Sequence, residues 1–216
     1  MARYRGPRLR ITRRLGDLPG LSRKISTRPN PPGQHGDASK LQKLSQYGIR
    51  LREKQKLRFH YGVAESQLVR AVERARRMKG STGQNLLVQL EMRLDNIIWR
   101  AGLTPTLRSA RQLVSHRHIC VNDLPVSIPS FQCQPGDKIR PSNRKSSQSF
   151  IQSILKSNGN SSATSYAPQT IPSHLQFTKS DQGTNWSGNV LGLVSRQDVG
   201  VEVNELLIIE YYSRII

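Results

Sequence analysis

Apolar residues recur at three- and four-residue spacing through the first half of the chain, which is the spacing of one helix face. The pattern predicts helices over residues 8–15, 39–61, 64–79, 82–101 and 108–115. Ser39 is the predicted N-cap of the second helix, and Gly62 and Gly80 lie just past the predicted ends of the second and third. Glycine and proline interrupt residues 1–38 so often that only the first helix is predicted there.

After residue 118 the pattern changes to short strands separated by turns. Strands are predicted at 119–121, 124–126 and 136–140, with a tight turn at Asn122-Asp123, and a further helix at 150–156. Ser157–Ser165 is a polar tract that predicts a mobile surface loop. Structure is predicted to resume at 175–177, to continue through 190–194 and to include the apolar tail 199–216. The predicted fold class is α+β, with a small sheet following a helix pair.

The charge of the chain indicates the class of its binding partner. The chain of 216 residues has 34 Lys+Arg against 14 Asp+Glu, a net charge of +20. Residues 1–80 alone hold 21 basic and 5 acidic side chains, so the excess is concentrated in the first third. Such a surface repels itself unless a polyanion neutralises it, and nucleic acid is the leading partner. An anionic membrane is disfavoured because aromatic residues are only 6% of the chain.

Several other classes of protein are disfavoured because the sequence lacks their characteristic features. No stretch approaches the 18 or so apolar residues of a membrane span, and the basic start at Met1 is expected to be close to the mature N-terminus, without a secretory signal. Cys120 and Cys133 are too few for a disulfide framework and lack zinc-ribbon spacing. No phosphate-binding loop is present, and neither a metal nor any other cofactor is predicted.

About fifty consecutive residues resemble the S-four RNA-binding module. The resemblance is carried by Arg93-Leu94-Asp95-Asn96, Ala101-Gly102, Ala110-Arg111-Gln112-Leu113-Val114, Ile119-Cys120-Val121-Asn122 and Pro135-Gly136-Asp137. In that family two helices and a small sheet present a basic surface to structured RNA. The resemblance implies an RNA-binding domain at residues 91–152.

The flanking segments resemble the S-four family of small-subunit ribosomal proteins. The matching segments are Arg3-Tyr4-Arg5-Gly6-Pro7, Pro32-Gly33-Gln34-His35-Gly36, Tyr47 to Arg58, Gly80-Ser81-Thr82-Gly83 and Asn204-Glu205-Leu206-Leu207. The resemblance implies that residues 1–90 and 153–216 form a basic N-terminal arm, a helical part and a C-terminal segment, with a flexible Ser/Asn-rich loop at 157–173. Leu15 to Leu21, Lys54 to Gly62 and Glu210 to Arg214 are similar to the chloroplast and cyanobacterial branch.

Candidate rRNA-binding residues follow from charge and resemblance together. They are Arg3, Arg5, Arg8, Arg10, Arg13, Arg14, Gln34, His35, Arg50, Arg52, Lys54, Lys56 and Arg58 in the N-terminal part, with Arg93, Arg108, Arg111, His116, Arg117 and His118 in the module. For any single arginine the alternative is a solvated surface charge. Arg93 could instead pair with Glu91 or Asp95, and the arm could be a disordered basic tail.

The resemblance implies a structural constituent of the small ribosomal subunit, not an enzyme. It implies direct binding to small-subunit (16S-type) rRNA, nucleation of assembly, a role in translational accuracy with small-subunit protein five, and contact with mRNA near its entry. A chloroplast location is predicted, with cyanobacterial cytoplasm as the alternative. A free RNA chaperone or repressor would fit the same surface.

One enzyme family offers a rival interpretation. Arg93-Leu94-Asp95 is similar to the catalytic Arg-Leu-Asp of pseudouridine synthases, which use the same module as an RNA handle. In those enzymes the aspartate lies in a large separate β-rich domain, whereas here Asp95 lies in a leucine-periodic helical region. Asp95 is therefore predicted to cap a helix or to pair locally, and Asp95→Asn is expected to keep most of that role.

Overall fold

A computed structural model describes residues 4–22, 24–28, 30–34, 43–159, 171–179 and 186–214, with side chains omitted at 155–159. The chain divides into two compact units, residues 1–87 with 201–216 and residues 88–200. The helices are α1 (Arg8–Leu15), α2 (Gln46–His60), α3 (Glu65–Arg77), α4 (Thr82–Glu91), α5 (Leu94–Arg100), α6 (Leu107–Ser115), α7 (Lys145–Gly159) and α8 (Glu205–Ser213). The strands are β1 (Ile119–Val121), β2 (Leu124–Pro125), β3 (Lys138–Pro141), β4 (Leu175–Lys179) and β5 (Trp186–Val190). This arrangement confirms the α+β class.

The first unit is helical. Helices α1 and α3 follow the predicted bounds closely because each buries one apolar stripe, in α3 the side chains of Leu68, Val72 and Ala75. Helix α2 begins later than predicted. Its N-cap is Ser45, whose Oγ accepts a hydrogen bond from the Gly48 N–H, and residues 43–45 are not helical. The predicted cap Ser39 lies outside the described residues.

The C-terminal tail contributes α8 to this unit, where it packs against α2. Asn204 caps the helix by accepting from the Leu206 N–H, and Ile208 and Tyr212 are buried. The Tyr212 hydroxyl donates to Glu65 Oε1 at 2.7 Å, so the tail is joined to the start of α3. The expectation of an ordered tail is therefore confirmed for the described residues 199–214.

One predicted helix is two in the structure. The pattern from residue 82 to 101 breaks at Met92 and Arg93. Met92 lies in a turn, and Arg93 is extended and forms a β-bridge with Gln132. The Met92 carbonyl accepts from the Cys133 N–H at 2.9 Å. These partners lie about forty residues further along the chain, so the helical spacing of nearby leucines gives no signal of the break.

The second unit holds a five-stranded antiparallel sheet in the order β2-β1-β3-β5-β4. The predicted turn between β1 and β2 is confirmed, because Asn122 and Asp123 adopt φ of 47° and 70°, which short polar side chains tolerate. The strand predicted at 136–140 is β3, which begins at Lys138.

The second half of this sheet differs from the prediction at 190–194. Strand β5 ends at Val190, and its alternating burial places Trp186, Gly188 and Val190 inward. Leu191 and Leu193, which the prediction included in a structured segment, are exposed.

Helix α7 is longer than predicted. It starts five residues before the predicted bound and extends to Gly159, so residues 157–159 of the predicted loop are helical. Residues 160–165 of that loop lie outside the described residues.

The unit boundaries also differ from those that the resemblance implies. Strand β5 pairs with β3, and β4 pairs with β5, so residues up to 200 belong with the module instead of with the N-terminal part. Among the described residues, no helix is both long and apolar enough to cross a membrane.

Candidate nucleic-acid interface

A cleft of about 1080 Å³ in the first unit is lined by arginine side chains. We call it the arginine cleft; it lies among α1, residues 31–33 and α2, and its cationic lining residues are Arg10, Arg13, Arg14, Arg52 and Arg58. None of its lining residues, all drawn from the described part of the chain, is acidic. A concave surface of one charge sign focuses the potential and favours a polyanion.

Helix α1 positions two of these arginines. Ile11 and Leu15 pack with Leu18 into a buried cluster that also contacts Leu21 and Phe59, so Arg10 and Arg14 are left on the exposed side of the helix. A helix that buries one stripe presents its remaining side chains to solvent. Amphipathic spacing therefore determines which arginines of the arm a polyanion can reach.

Arg13 has a different role from its neighbours on α1. Its Nε donates to the Asn30 carbonyl at 2.8 Å and its Nη2 to the Pro31 carbonyl at 3.4 Å. These bonds hold the 30–31 segment against α1. Arg8 similarly donates to the Leu21 carbonyl at 3.5 Å. The arm from residue 4 to 22 is thus folded by its own contacts, in contrast to a disordered tail.

Helix α2 supplies Arg52, which is exposed, and Arg58, which lies over the Phe59 ring at 5.0 Å and donates to Gln55 Oε1. Tyr4 meets the same Phe59 ring edge-on at 5.4 Å. The cleft therefore combines cations with aromatic surface, a combination common where proteins bind nucleic acid.

The other predicted cations of α2 have partners inside the unit. Arg50 pairs with Glu210 at 2.7 Å, Lys54 with Glu65 at 3.0 Å, and Lys56 with Glu53 at 2.8 Å. Lys54 is buried, with only 4% of its surface exposed. Its ammonium also lies 4.8 Å from the centre of the Tyr211 ring. The structure thus gives Lys54 a role in joining α2, α3 and α8, in place of the predicted RNA contact.

In the second unit Arg93 and Arg111 meet at one carboxylate. Asp95, fully buried, accepts from Arg93 Nε at 3.0 Å and Nη2 at 2.8 Å, and from Arg111 Nε at 2.7 Å. Arg93 is itself 5% exposed. The alternative in which Arg93 pairs with Asp95 is therefore the one observed, and burial removes Arg93 from the surface that RNA can reach.

The segment after α6 places three rings in a row. His116 caps the helix, Arg117 adopts φ of 60°, and the chain then turns into β1. The His116 and His118 rings lie 6.0 Å apart, and His118 lies 5.3 Å from the Phe150 ring on α7. The rings of the predicted residues His116 and His118 thus lie in series with the Phe150 ring. Arg117 is exposed, and Arg108 on α6 is partly exposed.

Sequence reasoning left the cations of α3 out of the candidate site. The exposed face of this helix and the turn after it hold Arg70, Arg74, Arg76, Arg77 and Lys79. The signal was present in the sequence, because basic residues at 70, 74 and 77 lie opposite the apolar stripe of α3. Of the remaining predicted residues, Arg5 and Gln34 are exposed, while Arg3 and His35 lie outside the described residues.

Within the described part of the chain, no group of three or more His, Cys, Asp or Glu side chains is arranged to hold a metal ion. Burial raises the pKa of the Cys133 thiol to about 12, and the nearby carboxylates of Asp137 and Asp95 act in the same direction. A protonated thiol is a poor metal ligand.

Two family models match the chain in succession, and relatives align with nearly its full length. Residues 3–91 match the model of the ribosomal protein S4/S9 N-terminal domain, and residues 92–139 match that of the S4 domain. The chain is 56% identical over 214 residues to small ribosomal subunit protein uS4 of Thermosynechococcus vestitus, covering 99% of both chains. It is 53% identical over 214 residues to uS4c of Porphyra purpurea, covering 99% of this chain and all of that one.

Both domain models thus match this chain in succession, and the relatives align with it over nearly their full length. The chain belongs to the uS4 family of small ribosomal subunit proteins. Its relatives are named as ribosomal proteins, which are structural components of a particle and not enzymes, so the rival pseudouridine synthase interpretation is set aside.

Proposed function

We propose that the protein is a structural constituent of the small ribosomal subunit that binds 16S-type rRNA directly and nucleates assembly around it. The observation that carries the proposal is the arginine cleft, which is lined by five arginines and, among the described residues, by no acidic side chain. Arginine is suited to this role because its planar fork can hold two phosphate oxygens at once.

The physical properties of RNA support a surface of this kind. Side chains cannot enter the deep, narrow major groove of A-form RNA, so a protein that organises an rRNA junction contacts phosphates and 2′-hydroxyls. Such contacts require cations held at fixed positions. The buried cluster of Ile11, Leu15 and Leu18 fixes α1, and the bonds from Arg13 fix the segment opposite it.

The module contributes a second set of contacts in this proposal. Asp95 orients α5 and α6 through its two arginines; α6 carries Arg108 in its first turn, and the segment that presents His116 and Arg117 follows the end of α6. The proposed direct contacts are Arg5, Arg10, Arg14, Gln34, Arg52, Arg58, Arg108, His116, Arg117 and His118. The residues proposed as supporting share one feature, a charged group within 3.5 Å of a backbone carbonyl or carboxylate oxygen of the protein; they are Arg8, Arg13, Arg50, Lys54, Lys56, Arg93 and Arg111. Arg3 and His35 remain sequence-based proposals.

The finer partners and the location rest on the family resemblance. We propose small-subunit protein five as a neighbour, a shared influence on translational accuracy, and contact with mRNA near its entry. The relatives include uS4 of cyanobacteria and uS4c of the alga Porphyra purpurea, which supports a chloroplast or a cyanobacterial cytoplasm. The Ser/Asn-rich stretch of residues 157–165 favours the chloroplast.

Incorporation into the particle tests the proposal. Tagged chain is added to a reconstitution of small subunits, which are then washed in high salt and sedimented. The wild-type chain is expected to remain with the small subunit, and a variant with Arg10, Arg14 and Arg52 all changed to Gln is expected to be depleted. The control is Arg214→Gln, an exposed arginine outside the cleft lining. Loss of the wild-type chain in the wash would contradict the proposal.

A further inference from the structure

A second cleft, in the second unit, differs in chemistry from the arginine cleft. Its volume is about 540 Å³, within the range of small-ligand sites. We call it the aromatic cleft; it lies beside α6 and α7, and its lining includes Gln112, Leu113, His116, His118, Ser146 and Phe150. Leu113 is a buried apolar contributor, whereas Gln112 and Ser146 are exposed and can form hydrogen bonds.

Three aromatic rings lie one after another along this cleft. His116, His118 and Phe150 follow one another with interplanar angles of 32° and 33°, closer to parallel than to edge-on. His118 is fixed in the middle by a 2.9 Å hydrogen bond between its Nδ1 and the Ser147 hydroxyl on α7. The outer rings, His116 and Phe150, are both exposed, Phe150 by 48%. A half-exposed phenylalanine beside a cleft leaves a ring face available to a planar partner.

The basic side chains of this region suit a planar ligand that also carries an anionic group. Arg117, Arg144 and Lys145 are exposed, and Arg117 lies between the two histidines in sequence. Burial lowers the pKa of His118, and the nearby His116 and Arg144 lower it further. The lowered pKa favours the uncharged His118 ring, which is suited to stacking, and Arg144 is the permanent charge that acts on it. None of the lining residues, all within the described ranges, is acidic.

We propose that the aromatic cleft binds one unpaired nucleotide of RNA, with its base stacked on Phe150 or His116 and its phosphate held by Arg144. The inference rests on the proposed rRNA binding and adds the class of nucleotide that the module selects. Sequence-specific proteins commonly recognise unpaired bases in this manner, by stacking on an aromatic ring beside hydrogen-bonding groups. A duplex offers no free base face and does not enter the cleft.

The probe for this inference is a single-stranded RNA twelve-mer with one central 2-aminopurine, whose fluorescence falls when the base stacks. The full-length protein is titrated with it, and with the same strand in a duplex. The variants are Phe150→Ala, which removes the ring, and Phe150→Leu, which keeps an apolar side chain without one. Phe131→Ala is the matched control, because Phe131 is 37% exposed in the same unit and does not line the cleft.

The wild-type protein and Phe131→Ala are expected to quench the probe equally. Both Phe150 variants are expected to lose the quenching and at least fivefold in affinity, the lower end of what one base–ring stack contributes. Absence of quenching by the wild-type protein, or equal quenching by the Phe150 variants, would overturn the inference. Loss with Ala but not with Leu would also overturn it, because an apolar side chain without a ring would then be sufficient and stacking would not be needed.

A parallel titration distinguishes failure of the proposed rRNA binding from failure of the aromatic cleft. Protein-free small-subunit rRNA is titrated in parallel, and the arginine cleft is expected to support its binding with or without Phe150. Unbound rRNA together with normal quenching would reject the proposed function and leave the aromatic cleft as a single-strand site. Bound rRNA without quenching would reject only the aromatic cleft.

Discussion

Asp95 and Arg111 are sixteen residues apart and form a 2.7 Å ion pair in the second unit, while Arg93 binds the same carboxylate through two further hydrogen bonds. The carboxylate is completely buried and is the counter-charge that the two guanidinium groups share. One side chain thus fixes the start of α5 relative to the middle of α6. The Asp95 carboxylate therefore has a structural role.

Asp95→Asn is expected to destabilise the protein by about 3–5 kcal/mol, because it leaves the buried guanidinium of Arg93 without its counter-charge. This differs from the expectation based on sequence, in which Asn keeps the capping role of Asp. The control is Asp123→Asn, since Asp123 pairs with Arg140 but is exposed and in a turn that Asn tolerates. That change is expected to cost no more than about 1 kcal/mol. Thermal unfolding measures both, and equal melting temperatures would contradict the structural role.

Acid stability is expected to depend on Glu65. Burial by itself raises the pKa of this carboxyl, but hydrogen bonds from Tyr212 and Lys54 outweigh it, so the pKa lies below its ordinary value. A carboxyl with a lowered pKa in the folded state stabilises the fold above its unfolded pKa, and this contribution is lost as pH falls through the folded value.

Glu65→Gln is therefore expected to lower stability at pH 7 and to reduce the decline of stability below about pH 4.3, the ordinary pKa of a glutamate. Urea midpoints between pH 3 and 7 measure the effect. Glu73→Gln on the same helix is the control and is expected to follow the wild-type curve. A Glu65→Gln curve parallel to the wild-type curve would show that the contacts with Tyr212 and Lys54 do not stabilise the fold.

The hairpin turn gives a third prediction. Asn122 has φ of 47°, donates to Asp137 Oδ1 at 2.7 Å and accepts from the Lys138 N–H at 2.9 Å. Asn122→Ala is expected to cost about 2–3 kcal/mol, from backbone strain and the removal of both hydrogen bonds together. Asn122→Gly removes the same bonds without the strain and is expected to cost about 1–2 kcal/mol less. Chemical denaturation separates the two variants, and identical midpoints would show that the backbone is unstrained.

Local pattern was sufficient to predict several elements. Helices α1, α3 and α6 and strand β1 were predicted to within a residue or two, because each combines a clear apolar period with a terminating or capping residue. The break between α4 and α5 was not predictable in this way, since it depends on pairing with Gln132 and Cys133. Strand β5 was misplaced because its inward positions are Trp186, Gly188 and Val190, a weak apolar pattern.

The candidate site was predictable in kind but not in detail. Charge density identified Arg10, Arg14 and Arg52, which line the arginine cleft. Charge alone could not separate them from Lys54 and Arg93, whose partners are determined by folding. Glu65 lies eleven residues from Lys54, and only the packing of the helices brings their charged groups to 3.0 Å. A count of cations therefore overestimates the number available to RNA.

The most direct test of the central claim is the salt dependence of binding between the purified full-length protein and protein-free small-subunit rRNA. The wild-type protein is expected to show a steep linear fall of log affinity with log salt. Changing Arg10, Arg14 and Arg52 to Gln is expected to weaken binding and to reduce the slope by about 0.7–0.9 for each phosphate that the protein no longer neutralises. Arg214→Gln is expected to leave the slope unchanged. A triple variant with the wild-type slope and affinity would contradict the claim that the arginine cleft holds rRNA phosphates.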